Sequence, residues 1–304
     1  MGVIERLPPA LQGIAYMLLA TVLFALLWVL IRIASETLNP FLVVFYRTLF
    51  GLVFMGPALY RQRTTLFAGG RSGLYLVRAA IGLLAMYANF YAVAHAPLAD
   101  VVAISYASPL FATVVAVLAL GEVIRARRVT ALAIGFVGVL LVLRPGMQAL
   151  APGHYAALAG AVSVAASLAT IKMLTGTDRP ERIVGYTFLL MLPITFAVAL
   201  LVWVWPSPRE LGLLIVIGVS ANIAHMALTR AFTVAEVSAV MPFDFVRLVI
   251  AGSFGALLFG EALEWETVVG AGVILLSSVY LAHREAVLAR REGSRPLPPR
   301  PDVP

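Results

Sequence analysis

The chain has 304 residues, of which 62% are hydrophobic and only 12% charged. Soluble domains carry about twice that share of charge, so the composition places the protein in a bilayer and excludes a pair of soluble domains. There is no cysteine, which rules out disulfide frameworks and thiolate chemistry, and the net charge of +7 is spread over loops, a pattern of membrane orientation rather than of nucleic-acid binding.

A spanning helix needs about 20 mostly apolar residues, and the sequence predicts ten. Helix 1 is expected over about 11–34, preceded by a start that reads as the front of an uncleaved first helix. Asn39-Pro40 makes a turn, and helix 2 follows over about 40–60. Arg61, Arg63 and Arg71 lie in a Gly-rich loop before helix 3, about 73–94. Ala96-Pro97 breaks the chain, and helix 4 covers about 98–120, ending at Gly121-Glu122. Arg125, Arg127 and Arg128 precede helix 5, about 129–145, whose Gly135 and Gly138 suit close packing. Helix 6 is about 153–174, helix 7 about 183–204, helix 8 about 210–231, helix 9 about 235–259 and helix 10 about 265–283. The remainder, 284–304, is basic and Pro-rich and reads as a cytoplasmic tail. With the N-terminus inside, the arginine-rich loops all face the cytoplasm, so both termini are expected there.

The chain contains one unit twice. Ala92–Glu122 lies without a gap on Ala231–Glu261, matching Ala92, Ala96, Val101, Ala112, Leu118, Gly121 and Glu122. Gly13–Thr48 lies on Gly153–Phe188, and Arg32 falls on Lys172. Two blocks in order, at nearly one offset, indicate a duplication. The expected units are 1–146 and 147–283. Five helices per copy make the second copy enter the membrane from the opposite side. The fold class is therefore an all-α integral membrane protein of ten helices in two inverted five-helix repeats.

Charges inside hydrocarbon cost roughly 2.5–3.5 kcal/mol each and read as functional candidates. Asp244 and Arg247 are three apart on helix 9, hence on one face. They either neutralise each other or meet the amino and carboxyl groups of a substrate. Arg47 reads as structural, and Arg78 as reaching headgroups. On helix 8, Asn222, His225 and Thr229 form a polar stripe, and His225 can relay a proton or bond a neighbouring helix. Tyr87 and Tyr91 on helix 3 can stack on a flat substrate or serve as core. Trp28 is central enough to line a cavity or to pack. Ser163, Ser167 and Thr170 look like helix-packing glue. Asp100 and Glu236 open helices 4 and 9, either near a gate or as dipole-favoured acids. Substrate binding is thus assigned to Trp28, Tyr87, Tyr91, Asn222, His225, Asp244 and Arg247, and coupling to Asp244, His225 and Asp100.

The ASPLFATVVAVLALGE and GFVGVLLVLRPG blocks of the first half, with MPFDFVRLVIAGSFGALLFGE in the second, resemble EamA-like members of the drug/metabolite transporter superfamily. The resemblance spans about residues 11–283. It implies a ten-helix fold with a central cavity lined mainly by helices 1, 3, 4, 6, 8 and 9, and transport without ATP. It also implies substrates such as amino acids, derived metabolites, nucleotide-sugar-like compounds or vitamins. The expected function is secondary active transport of a small polar metabolite, amino-acid-like or metallophore-type, across the inner membrane by alternating access, with export favoured. The alternative is import of an aromatic or cofactor-like metabolite such as a flavin or S-adenosylmethionine. An intramembrane enzyme or a channel is the remote rival. No GxxxxGK[ST], HExxH or GxSxG occurs, and the histidines show no metal spacing. No cofactor, metal or catalytic residue is expected. The expected partners are a small molecule and the lipid bilayer, with no nucleic acid, in a monomer or homodimer.

Overall fold

The computed structural model describes residues 9–61, 72–108, 110–112, 114, 126–144, 150–175, 180–234, 243–244 and 246–293. Among these there are ten helices and no strand. They are α1 (Pro9–Ala34), α2 (Pro40–Arg61), α3 (Ser72–His95), α4 (Leu98–Ser105), α5 (Ala126–Leu143), α6 (Pro152–Thr175), α7 (Pro180–Leu200), α8 (Pro208–Val234), α9 (Val246–Phe259) and α10 (Trp265–Gly293). Four of them are long and apolar enough to cross a membrane as they stand, within α1, α2, α3 and α8. The apolar helices in α4, α5, α7, α9 and α10 are shorter over the described residues.

Local chemistry sets the helix starts. Proline opens α1, α2, α6, α7 and α8, where its missing N–H costs nothing. Asn39 accepts the Phe41 amide at 3.0 Å and caps α2. At α8, Ser207 and Glu210 form a reciprocal capping box: the Ser207 amide donates to Glu210 Oε2 at 2.7 Å, and the Glu210 amide to Ser207 Oγ at 3.3 Å. Thr37 donates to the other oxygen of Glu210 at 2.6 Å, which ties the α1–α2 turn to the start of α8.

The sequence expects unbroken fourth and ninth helices, and the structure differs at both. α4 stops at Ser105, and Tyr106 and Ala107 form a turn before helical residues resume at Ser108. There the Tyr106 and Ala107 amides donate to Ala103 and Ile104, three residues back. Proline at position 109 explains the stop. It has no N–H to give the Ser105 carbonyl, and Ser108 Oγ donates to that oxygen instead, at 2.8 Å. In the second copy, Phe243 and Asp244 form a 3₁₀ turn and α9 begins at Val246. Asp244 is therefore not on the helix that carries Arg247. Ser105 and Asp244 occupy matching places in the repeat, so the two departures from α-helix coincide. Most of the expected helix 4 end, Gly121-Glu122 and Glu236 lie outside the described residues.

Two smaller differences concern helix ends. α7 stops at Leu200, and Trp203 and Trp205 follow in non-helical chain, where Trp203 packs against Phe45, Tyr46 and Phe196. α10 runs on through 284–293, residues the sequence assigns to the tail.

The packing has an order that sequence periodicity does not reveal. α3 lies against α6 and α1 against α8; α2 meets α7, α4 meets α9, and α5 meets α10. α2 also meets α8 as α3 meets α7, and α1 meets α9 as α4 meets α6. Exchanging α1–α5 with α6–α10 maps each of these pairs onto another of the set or onto itself. At the α5–α10 seam the backbones touch. A Cβ on Gly138 would lie 2.8 Å from the Gly270 carbonyl oxygen, and one on Gly270 would lie 2.7 Å from that of Gly138.

That seam gives a testable consequence. Gly138→Leu is expected to destabilise the protein by about 1–3 kcal/mol, because backbone cannot yield as a side chain can. Gly272, whose Cβ would meet nothing within 4 Å, is the control, and Gly272→Ala should leave the melt unchanged or raised. Thermal unfolding in detergent reads both. Equal melting temperatures for Gly138→Leu and the parent would contradict the close seam.

Candidate functional site

The centre of the bundle holds a charged cluster built by α1, α4 and the start of α9. Arg247 donates to Asp244 Oδ2 at 2.9 Å. Their side chains are only 14% and 11% exposed, so the pair is largely cut off from its surroundings. Thr21 of α1 is fully buried and donates to Asp244 Oδ1 at 3.2 Å. The Tyr106 hydroxyl donates to the main-chain carbonyl of Asp244 at 2.8 Å. Arg247 also reaches Ser105 Oγ at 3.4 Å. Its guanidinium carbon stands 5.4 Å from the Trp28 ring centre and 5.1 Å from that of Tyr106. Cation–π contacts of this kind are worth about 2 kcal/mol or more when desolvated. Arg247 Nε is buried and donates to no described group. An arginine in an aromatic frame, with one donor unfilled, can take a carboxylate or another acceptor.

A second polar region lies between α2, α3, α7 and α8, around a cavity of about 260 Å³. Asn222 and His225 of α8 line it, with Arg47 of α2, Arg78 and Met86 of α3, and Thr187, Phe188 and Met191 of α7. Asn222 Nδ2 donates to the Gly218 carbonyl at 2.9 Å, and His225 Nδ1 lies 2.8 Å from the Ala221 oxygen. Gly51 lets α2 come this close: a Cβ there would stand 2.9 Å from Asn222 Nδ2. Arg78 does not reach for headgroups. It donates to Thr187 Oγ1 at 3.1 Å and to Ser167 Oγ at 3.2 Å. Arg47 touches the Met86 sulfur at 3.5 Å and stands 5.6 Å from the Phe188 ring.

One face of α1 joins the two regions. Thr21, Phe24 and Trp28 are spaced by three and four residues. Thr21 meets Asp244, Trp28 faces Arg247, and Phe24 packs edge-on against His225 at 5.0 Å. Trp28, Asp244 and Arg247 are thus brought together, and so are Asn222 and His225. Tyr87 packs edge-on against Phe41 at 5.2 Å, and its hydroxyl is buried with no partner among the described residues. Tyr91 is elsewhere, stacked on His95 at 4.0 Å near the end of α3. The Thr229 side chain lies outside the described residues.

Asp100 is likewise apart from both regions. It sits in the first turn of α4, paired with His154 Nε2 at 3.1 Å and accepting from Thr267 at 2.6 Å. This buried node ties α4, α6 and α10. Beside it, Arg32 donates to the Val93 and Ala96 carbonyls at 2.6 and 3.2 Å and pairs with Glu261 at 3.2 Å. Glu261 in turn accepts the Leu98 amide at 2.8 Å. Sequence reading missed Thr21, Ser105 and Tyr106. Only Tyr106 left a signal, as the repeat counterpart of Phe245. Helices 2 and 7, absent from the cavity that the resemblance implies, contribute Arg47 and Thr187.

Among the described residues, no group of three or more His, Asp or Glu residues is placed to hold a metal ion.

Known proteins match this chain along nearly its whole length. The pattern of the EamA-like transporter family fits residues 11–144 and again 151–282. The S-adenosylmethionine uptake transporter of Rickettsia prowazekii is 25% identical over 281 residues, covering 92% of this chain and 96% of that one. The riboflavin transporter of Rhizobium johnstonii is 31% identical over 287 residues, covering 91% and 92%. The pseudopaline exporter CntI of Pseudomonas aeruginosa is 29% identical over 279 residues, covering 89% and 96%. A solved crystal structure superposes with a TM-score of 0.59 at 20% identity, over 93% of this chain and 99% of its own, a likeness of fold alone.

The buried pair yields a prediction about stability. Asp244→Ala leaves Arg247 without its carboxylate, and the expected cost is about 3–5 kcal/mol. Asp244→Ala with Arg247→Ala should cost less than the sum of the two single changes. Melting curves of the four proteins in detergent give the coupling. Strict additivity would mean that the two charges do not interact.

Proposed function

This chain belongs to the EamA-like transporter family of multi-pass membrane proteins, and we propose that it carries a small polar, carboxylate-bearing metabolite across the inner membrane by alternating access. The observation that carries this reading is the Asp244–Arg247 pair, buried where α4 meets α9 and framed by Trp28 and Tyr106. A zwitterion can exchange partners there: its carboxylate with Arg247, its ammonium with Asp244. The unfilled Arg247 Nε and Tyr87 hydroxyl supply further donors. Trp28, Tyr87, Asn222, His225, Asp244 and Arg247 bind substrate, with Tyr91 at the margin. Asp244 and His225 couple transport, and Asp100 acts from the node at the start of α4.

The duplication supports the mechanism. Repeats of 1–146 and 147–283, each of five helices, are inverted relative to one another, with both termini in the cytoplasm. Packing that maps onto itself when the halves exchange is what such a pair requires. Two inverted halves can swap conformations and open the centre first to one side and then to the other. Export of an amino-acid-like or metallophore-type compound is the favoured direction, and one chain suffices to enclose the site. A second reading is uptake of an aromatic or cofactor-like metabolite. The aromatic frame around Arg247 favours it, as do the relatives named for riboflavin and for S-adenosylmethionine uptake.

Two experiments test these proposals. The first is a melting screen in detergent against amino acids, opine-type metallophores, flavins, nucleosides and sugars, followed by counterflow in proteoliposomes. A true substrate raises the melting temperature by mass action and exchanges across the membrane, and its effect is expected to vanish in Asp244→Asn and in His225→Ala. Flux that stays at protein-free background across the whole panel would refute the carrier reading. The second exploits the absence of cysteine. Arg209→Cys should react with an impermeant maleimide added outside, and Ser294→Cys only after lysis. The reverse result would invert the topology.

A further inference from the structure

The arginines of this bundle differ in one respect. Arg32 has Glu261, Arg144 has Glu264 and Glu266, and Arg247 has Asp244. Arg47 and Arg78 have no carboxylate within ion-pair distance among the described residues, yet both line one cavity. Among the described residues, no acidic side chain shares that lining. A guanidinium carries five donors in a planar fork. Those of Arg47 meet a thioether, a weak acceptor, and an aromatic face. Arg78 is steered by two hydroxyls, Thr187 and Ser167, which fix its direction without neutralising it. Two like charges facing a common space of low dielectric repel, and each is costly within hydrocarbon. The space is about 260 Å³, and Asn222 is a neutral polar group at its edge.

We propose that this cavity seats an anionic group of the transported metabolite, a carboxylate or a phosphate, gripped by Arg47 and Arg78. The proposal rests on the transport reading and adds to it a preference for acidic substrates. The anion supplies the missing negative charge, and the paired guanidinium forks match the planar oxygens of either group. Phe24 and Thr21 on α1 place this cavity and the Asp244–Arg247 cluster on one continuous helix face. An acidic tail in the cavity and a zwitterionic head at Arg247 would then occupy both regions at once. The residue that matches Arg47 in the other copy is Thr187, which lines the same cavity, so the repeat brings no second guanidinium from that position.

The test uses the full chain in a neutral detergent with no anionic lipid. Melting temperature is measured against succinate, inorganic phosphate and uncharged glycerol, and in a separate arm against added phosphatidylglycerol. Succinate or phosphate is expected to raise the melt saturably, with glycerol inert. Arg47→Gln and Arg78→Gln should each weaken the apparent affinity by tenfold or more, and Arg47→Lys should restore part of it. Ser220→Ala, a half-buried residue of α8 whose hydroxyl donates to carbonyls of its own helix and which is not part of the cavity lining, should leave it unchanged. A melt that ignores both anions overturns the proposal. So does an anion effect that survives both Gln variants, and so does a melt raised only by phosphatidylglycerol, which would assign the cavity to a lipid headgroup. The carrier reading is judged separately by counterflow. Flux of an acidic metabolite whose half-saturation is the same in Arg47→Gln would sink the anion seat and leave the carrier intact. Anion-dependent melting without any flux would do the reverse.

Discussion

Hydrocarbon offers no hydrogen-bond partner and no screening, so every polar group in this bundle must find its partner within the chain or within a cavity. The Asp244–Arg247 pair is where that requirement presses hardest. Two full charges sit at the meeting of α4, α9 and α1, and each neighbour answers part of the demand. Thr21 satisfies one carboxylate oxygen, Arg247 takes the other, and Trp28 and Tyr106 present ring faces to the guanidinium. Losing α-helical hydrogen bonds at Tyr106 and Asp244 would be costly in lipid. Here the loss is offset locally: Tyr106 donates to the freed carbonyl of Asp244, Ser278 to that of Tyr106, and Ser108 to that of Ser105. The departures from regular helix lie in the interior, where protein groups can repair them.

Around this centre the two halves pack as counterparts. The α3–α6 and α1–α8 contacts are mates, while α2–α7, α4–α9 and α5–α10 each map onto themselves. The glycine seam at Gly138 and Gly270 shows how close the self-mated pairs come. The charged clusters fall on different sides of this arrangement. The Asp100–His154–Thr267 node and the Arg32–Glu261 pair tie the α3–α4 turn to α1, α6 and α10. The Arg47 and Arg78 cavity instead draws on α2, α3, α7 and α8.

Much of this was legible in the sequence, and what was not has a physical reason. Ten apolar runs announce ten helices, because composition alone decides residence in lipid. Asp244 and Arg247 stand out because a charge in an apolar run is conspicuous, and Asn222 and His225 because their spacing makes a stripe. Tyr106, Thr21 and Ser105 were invisible for the opposite reason. Single hydroxyls are common in membrane helices as packing glue, and their roles depend on partners far away in sequence. Asp100 could be read as an ordinary first-turn acid, since its bond to His154 spans helices that no periodicity connects. Arg47 has the length to snorkel, and only the packed neighbours show that it meets sulfur and an aromatic ring instead. Tyr91 had the right spacing but falls against His95, because one turn along α3 is enough to leave the centre.

The bond from Tyr106 goes to the main-chain oxygen of residue 244, not to its side chain. Architecture and chemistry are thereby separated within a single amino acid. Any residue at that position would present the same carbonyl and keep the bridge to Tyr106. The carboxylate answers instead to Arg247 and Thr21, so it can be exchanged only together with its cationic partner, and the bridge to Tyr106 outlasts that exchange. A scaffold so arranged lets cargo preference drift by paired substitution while the frame stays fixed. One backbone can thus serve chemically unlike passengers.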